Sequence, residues 1–281
     1  MVVTYSANTR SGLALAALLV LAFGGLAQRY RSQMRQEEGP QPVFPSAGEF
    51  HFIRIEYTDL PQHHRGFGFA SRGARGDGWW MVDWPDADNH FTMGLGRLTR
   101  IDTGEPRHFR FTDNQLFDHP WVYATQTGWW DLNDVETARL REFLLRGGFL
   151  VVDDFWGADQ WEVFRETLNR VLPGKPITDL AESDFVMHVL YDIEEKDRTF
   201  IPGTRHLRMG PDGSVVVAQP AGTAPAWRAM YDDRNRMVVA VNFNTDVGDA
   251  WEYADAPEYP EPMTALAYRY GINYVVYAMT H

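Results

Sequence analysis

Gly147-Gly148-Phe149-Leu150-Val151-Val152-Asp153-Asp154-Phe155-Trp156-Gly157 is the stretch from which the fold is read. The glycine pair stops a helix, because glycine takes the left-handed conformation at a helix end without a Cβ clash. Four apolar residues, Phe149–Val152, then make a short buried strand, and two aspartates close it. In open α/β sheets, ligands and catalytic groups gather at the carboxyl ends of strands. Asp153 and Asp154 are therefore the first candidates for a site. Side chains alternate along a strand, so at most one of the two faces a given pocket. The competing reading is structural: a cap for the helix that begins near Ala158 or Asp159.

The neighbouring segments extend the pattern. Leu132–Arg146 reads as the best helix, with Asn133 and Glu136 spaced as a capping box and Leu140, Phe143 and Leu144 on one stripe. A second helix runs from about Asp159 to Val171, burying Trp161, Phe164, Leu168 and Val171 on one face, and Pro173-Gly174 ends it. Upstream, Phe50–Tyr57 and Trp121–Ala124 read as strands, and Asp86–Arg100 has helical spacing. Strands alternating with helices predict a parallel sheet with helices on both faces. Downstream, Ser214–Gln219 is strand-like, Trp227–Phe243 reads as a hairpin turning at Asp232–Asn235, and Met263–Met279 is a closing helix. His119 and His188 are assigned to structure, His188 within an apolar strand.

The N-terminus has a different character. Ser11–Ala27 is apolar and uncharged, and Leu13, Leu15, Leu18, Leu19, Leu21 and Phe23 form its body. Residues 1–27 read as a signal-anchor or short transmembrane helix, at the lower length limit for a bilayer. Residues 28–47 read as a Pro-rich tether, and 48–281 as the globular α/β domain. Arg29, Arg31 and Arg35 follow the apolar run while only Arg10 precedes it, which would leave the domain cytoplasmic. A signal-like start argues for export, and an extracytoplasmic (periplasmic) domain is the expectation.

Composition excludes several functions. The net charge of -12 argues against nucleic acid, whose phosphates call for a basic face. The chain has no cysteine, so disulfides, thiolate metal sites and cysteine nucleophiles are absent. The histidines do not cluster at zinc spacing, and no cofactor or metal is expected. Asp246, Asp249, Glu252 and Asp255 form an acidic run that offers oxygens to Ca²⁺, but EF-hand spacing is missing and such runs are commonly solvated. The long segment 58–85 carries Trp79, Trp80, Trp84, Arg72 and Arg75, which divide equally between core and protein-interface readings. Trp156 joins them as an interface candidate.

Leu140–Asp154, Arg236–Ala254 and Pro257–His281 together resemble the DUF4159 family, a domain of unknown function, over about residues 48–281. The resemblance implies a flavodoxin-like, class I glutamine-amidotransferase-like α/β fold, in proteins often exported or joined to larger membrane proteins. It implies no reaction. In amidotransferases a cysteine sits on the turn after a central strand. Here the corresponding turn is Asp153-Asp154-Phe155-Trp156, and a carboxylate cannot replace a thiolate in amide hydrolysis at neutral pH. Glutaminase activity is therefore not expected. Two functions follow as expectations. The first is a non-catalytic, membrane-tethered scaffold subunit of a bacterial membrane protein complex, of the envelope or a bioenergetic system, photosynthetic ones included. The second is a metal-assisted hydrolase or ligand-binding domain that uses Asp153 or Asp154 with Asp246 on a polar substrate such as a glycan.

Overall fold

Strand β4, Phe149–Phe155, lies in the middle of a seven-stranded sheet, and all seven of its residues are buried. The computed structural model describes residues 42–64 and 78–281. The apolar segment at 11–27, most of the tether, Arg72 and Arg75 lie outside the described residues. Phe44–His281 forms one compact unit. Among the described residues, no helix is long and apolar enough to cross a membrane.

On one side β4 pairs in parallel with β3 (Trp121–Thr125), which pairs with β1 (Ile53–Glu56). Strand β2 (Arg107–Arg110) is the parallel edge beyond β1. On the other side β4 pairs in parallel with β9 (Met237–Phe243). Two antiparallel strands complete the sheet, β8 (Ala226–Tyr231) and the short edge β5 (Thr178–Asp179). The spatial order is β2-β1-β3-β4-β9-β8-β5. The expected hairpin is thus β8–β9, and the mostly parallel sheet is as the alternation of segments predicts.

Both faces are covered, which is why the central strands are apolar throughout rather than alternating. Helices α2 (Asp134–Leu145) and α3 (Gly157–Val171) put Leu140, Phe143, Phe164 and Leu168 against Leu150 and Val152. On the opposite face, α1 (Asp86–Leu98), α4 (Val247–Glu252) and α5 (Glu261–Thr280) put Phe91, Trp251 and Tyr274 against Phe149 and Val151. Alternate residues of one strand therefore feed two separate cores.

The helix before β4 starts and stops as its sequence predicts. Asn133 accepts from the N–H groups of Val135 and Glu136, and Glu136 accepts from Asn133 N at 2.9 Å. Gly147 has φ +114°, the left-handed stop. Arg236 from β9's leading edge then donates to Leu144 O at 2.6 Å and Gly147 O at 3.0 Å, satisfying carbonyls that the helix end leaves open.

Two expectations need correction, and a third holds. His188 is not in a strand; it ends the 3-10 turn Phe185–Met187, exposed, bonded to Asp192 at 2.8 Å. The acidic run is not a solvated loop, since Val247–Glu252 is the buried helix α4. The 214–219 segment contributes β7 (Val215–Val217), which pairs with β6 (Leu207–Met209) in a small sheet of its own.

Candidate functional site

The carboxyl ends of β3, β4 and β9 converge with the loop that enters α1. At the end of β4 the pairing with β9 slips between Val152 and Phe155, and Asp154 has φ +50°. Such a bulge re-aims side chains. Here it sends the two aspartates to different partners.

Asp153 is fully buried. Its Oδ2 accepts from the Tyr123 hydroxyl at 3.0 Å and from the N–H groups of Val247 at 2.9 Å and Gly248 at 3.0 Å. These are first-turn amides of α4, which lack partners within the helix. The capping role foreseen for α3 is therefore misplaced. That helix uses Gln160 Oε1, 2.8 Å from Trp156 N, and Asn244 Oδ1, 2.9 Å from Gly157 N. Asp153 serves a helix that the sequence places far downstream. Its other oxygen, Oδ1, is buried without a hydrogen bond. Burial, then the neighbouring Asp154, pushes the Asp153 carboxyl well above the ordinary aspartate range.

Asp154 accepts from the Trp156 indole N–H at 2.5 Å, from Arg205 Nη2 at 2.8 Å and from the Gln126 amide. Arg205 lies over the Trp156 ring at 4.8 Å. Beside them His206 is pushed down to about 4, by burial and then by Arg205, so it is a neutral imidazole at pH 7.

Asp246 follows β9 and caps α4: its Oδ1 accepts from Asp249 N at 2.9 Å. Asp249 Oδ2 in turn accepts from Thr204 N at 2.6 Å and Thr204 Oγ1 at 3.0 Å. The fourth contributor is Asp83, on the loop between the 3-10 turn Trp79–Met81 and α1. Its Oδ2 is buried and has no hydrogen-bond partner. Gly248 leaves the room for it, since a Cβ there would stand 2.7 Å from Asp83 Oδ2 and 2.9 Å from the Tyr123 hydroxyl.

Arg54 of β1 holds that loop in place. It is wholly buried, donates to Trp80 O at 3.1 Å and Val82 O at 2.8 Å, and pairs with the buried Asp88 of α1 through Nε at 3.1 Å. Its guanidinium also lies over the Tyr123 ring at 5.1 Å.

The result is a concentration of buried carboxylates. Oxygens of Asp83, Asp154 and Asp246 all lie within 4.8 Å of one another, and so do oxygens of Asp83, Asp249 and Glu252. Burial is the main reason that the carboxyls of Asp83, Asp246 and Asp249 are raised above the ordinary range, and their mutual repulsion adds to it. Backbone strain collects here too. Among the described residues, five non-glycine residues have left-handed φ, and Asp83, Gln126, Asp154 and Asn244 are four of them. Each such residue stores about 1–3 kcal/mol, less for Asn and Asp, and strain of this kind clusters at functional sites.

The sequence candidates Asp153, Asp154 and Asp246 are thus brought together. Trp156 covers Asp154 from the rim and packs on Phe200 and His206, with ring centroids 5.9 and 4.7 Å away. Trp80 is in the core, while Trp79 and Trp84 are half-buried, Trp79 donating to His63 O at 2.6 Å. Asp255 lies apart, exposed, 4.0 Å from His90. Asp83, Tyr123, Gln126 and Arg205 are the participants that sequence reasoning missed. They sit on separate loops, and no spacing motif links them.

The family profile described as "Domain of unknown function (DUF4159)" matches residues 67–279. The chain belongs to the DUF4159 family. No curated protein matches it. The matched span takes in Asp83, β4 with its two aspartates, and the Asp246–Glu252 segment, so every carboxylate of the cluster lies inside the DUF4159 domain.

Proposed function

We propose that the strand-end carboxylates hold a divalent cation, and that this DUF4159 domain is a metal-assisted hydrolase or ligand-binding domain for a polar substrate. The observation that carries the reading is the charge. Five carboxylates (Asp83, Asp154, Asp246, Asp249 and Glu252) crowd one region, where, among the described residues, Arg205 is paired with Asp154. Uncompensated buried charges cost several kcal/mol each. An all-oxygen donor set without histidine or thiolate suits the hard cations Mg²⁺, Ca²⁺ and Mn²⁺. A cation at this place would lower the pKa of a bound water or polarise a substrate oxygen.

The finer fold reading belongs to the same proposal. The parallel strands run in the order β2-β1-β3-β4-β9, which has the flavodoxin-like pattern in which ligands sit at the carboxyl ends. Asp154, at φ +50° in the bulged last residues of β4 and three residues before α3, lies where a strained strand-to-helix turn carries the nucleophile in elbow-type enzymes. We read it as the amidotransferase elbow with its cysteine replaced and the turn turned over to cation binding. A depression of about 430 Å³, lined by Val215 and residues 254–261, opens near Tyr259. The Tyr259 hydroxyl donates to Pro202 O at 2.6 Å, and burial, followed by the charges of Asp246 and Asp249, raises its pKa. This tyrosine connects the depression electrostatically to the carboxylates.

Thermal unfolding of the full chain after chelation, then with 1 mM Mg²⁺, Ca²⁺ or Mn²⁺, tests the reading. A ligand at about 100 times its Kd stabilises by about 2.7 kcal/mol, or roughly 5–11 °C for a domain of this size. An unchanged midpoint with all three cations would remove it.

Membrane attachment stands beside this as a second reading. The apolar run Ser11–Ala27 and the tether support an anchored, extracytoplasmic domain that docks on a membrane protein complex. The small β6–β7 sheet, with Met209 and Val216 about half exposed, offers apolar surface for such docking. Extraction from native membranes in mild detergent should recover the chain in a larger assembly. Recovery only as a monomer counts against it.

A further inference from the structure

Polar donors without partners gather in the layer between α5 and the outer strands of the sheet. Trp227 of β8 and Asn242 of β9 are cross-strand neighbours. Helix α5 lies over them: Tyr270 stacks on Trp227 with ring centroids 5.1 Å apart, and the Tyr274 hydroxyl donates to Asn242 Oδ1 at 3.0 Å. Arg198 joins the patch through Leu180. Its Nη1 donates to Leu180 O at 2.6 Å, and Leu180 N in turn donates to Trp227 O at 2.9 Å. Arg198 Nε and Nη2, Trp227 Nε1, Asn242 Nδ2 and the Tyr270 hydroxyl are all buried, and none has a hydrogen-bond partner among the described residues. Trp227 is 4% exposed and Tyr270 1%. We infer that Arg198, Tyr270 and Trp227 form a site for a halide-sized monovalent anion, of which chloride is the common example. The inference is independent of the cation reading above.

Donor chemistry selects the ligand. The Nε and Nη2 atoms of a guanidinium carry parallel N–H bonds along one edge, and that edge grips an anion with two charge-assisted hydrogen bonds. In Arg198 this edge is unused, while Nη1 meets Leu180 O and, at 3.4 Å, Glu195 Oε2. The Glu195 side chain is 72% exposed, so water screens it from the buried edge. Asp197 gives its Oδ2 to the Glu194 amide at 3.1 Å. The Tyr270 hydroxyl is pushed above the ordinary tyrosine range, mainly by burial, so it keeps a proton to donate. Indole N–H and amide NH₂ groups only donate, and of the unpaired groups the Tyr270 oxygen alone can accept. A water molecule has two hydrogens to place and would leave one of them without an acceptor in this set. An anion has none to place. Buried donors in a native protein call for a partner, and a small anion satisfies these together. The site also bears on the carboxylates. Downstream of Arg198, Ile201 O accepts from Asp246 N at 3.1 Å, and the same segment carries Arg205 to Asp154. An anion on Arg198 pins the start of that segment.

Chloride resonance and thermal unfolding of the full chain provide the test. The protein is exchanged into sodium gluconate, whose anion is bulky, and titrated with NaCl at constant ionic strength. Chelator is present throughout, so the outcome is separate from that of the cation site. A saturable broadening of the ³⁵Cl resonance and a saturable rise in Tm are expected. Tyr270→Phe is the most informative variant. The hydroxyl has no partner in the chain, so its removal should leave Tm in gluconate unchanged or raised. The same substitution should raise the chloride concentration at half-saturation roughly tenfold or more, the effect of losing one hydrogen bond to a charged group. Arg198→Gln should abolish the chloride response, with circular dichroism to check that the variant folds. Equal chloride responses in the parent and both variants overturn the site, because they show only the general effect of salt. Absence of saturable broadening in the parent also overturns it and leaves water as the partner of these donors.

Discussion

Replacing Arg54 with methionine should destabilise the protein by about 3–5 kcal/mol, the cost of leaving one partner of a buried ion pair alone. For a domain of this size that is a fall in melting temperature of roughly 6–20 °C. The argument starts from burial. Arg54 and Asp88 are both fully inaccessible, so neither charge has water as an alternative partner. Arg54 also satisfies the carbonyls of Trp80 and Val82, which methionine cannot do. Arg54→Lys should be intermediate, because an ammonium keeps the charge but lacks the planar fork that reaches Asp88 and two carbonyls together. The double substitution Arg54→Met with Asp88→Leu should recover much of the loss, since well-packed apolar residues often replace a buried pair without penalty. Chemical denaturation of the three variants measures this. A single-variant cost under about 1 kcal/mol would show that the pair is not holding the loop.

The same substitution should also weaken the cation response, because the loop that Arg54 holds delivers Asp83. Here stability and site meet: an arginine on an inner strand fixes the segment from which Asp83 comes.

How far the sequence reveals this arrangement differs from element to element. Gly147 through Val152 is legible because local rules coincide: capping box, helix stripe, left-handed glycine and apolar run all fall within about twenty residues. The hairpin β8–β9 and the closing helix are legible for the same reason. Strand β2 is not, because an edge strand reading Arg-His-Phe-Arg has exposed polar positions and no apolar run. The site is half legible. Asp153 and Asp154 stand out by their place at a strand end, and Asp246 by its acidic neighbours. Asp83 has no such mark. Its importance comes from a tertiary contact that β1 makes through Arg54, and from the missing side chain at Gly248. The alternation rule also fails at the point of interest. A bulge and a left-handed φ at Asp154 override the two-residue period, so the two aspartates do different work.

Asp246→Asn should have opposite effects with and without a cation, and this separates a metal site from a merely crowded one. Asparagine keeps a side-chain oxygen for the Asp249 amide, so the cap on α4 survives. What is lost is one negative charge among five. In chelator, the variant should be more stable than the parent, because it takes one member out of a set of buried, mutually repelling carboxyls. In 1 mM Mg²⁺, Ca²⁺ or Mn²⁺, the parent should gain stability and the variant should gain little, because a neutral amide oxygen is a weaker ligand for a hard cation than a carboxylate. The two melting curves should therefore cross over as cation is added. A purely structural carboxylate predicts the reverse in chelator, a loss of stability, and no dependence on cation at all. Asp255→Asn is the matched control: it removes the same charge from an exposed residue that stands apart from the cluster, and should leave both midpoints within about 0.5 kcal/mol of the parent. If Asp246→Asn instead destabilises the chelated protein and keeps the parent's cation shift, these carboxylates hold the strand ends together through hydrogen bonds and shared protons, and the ion binds elsewhere.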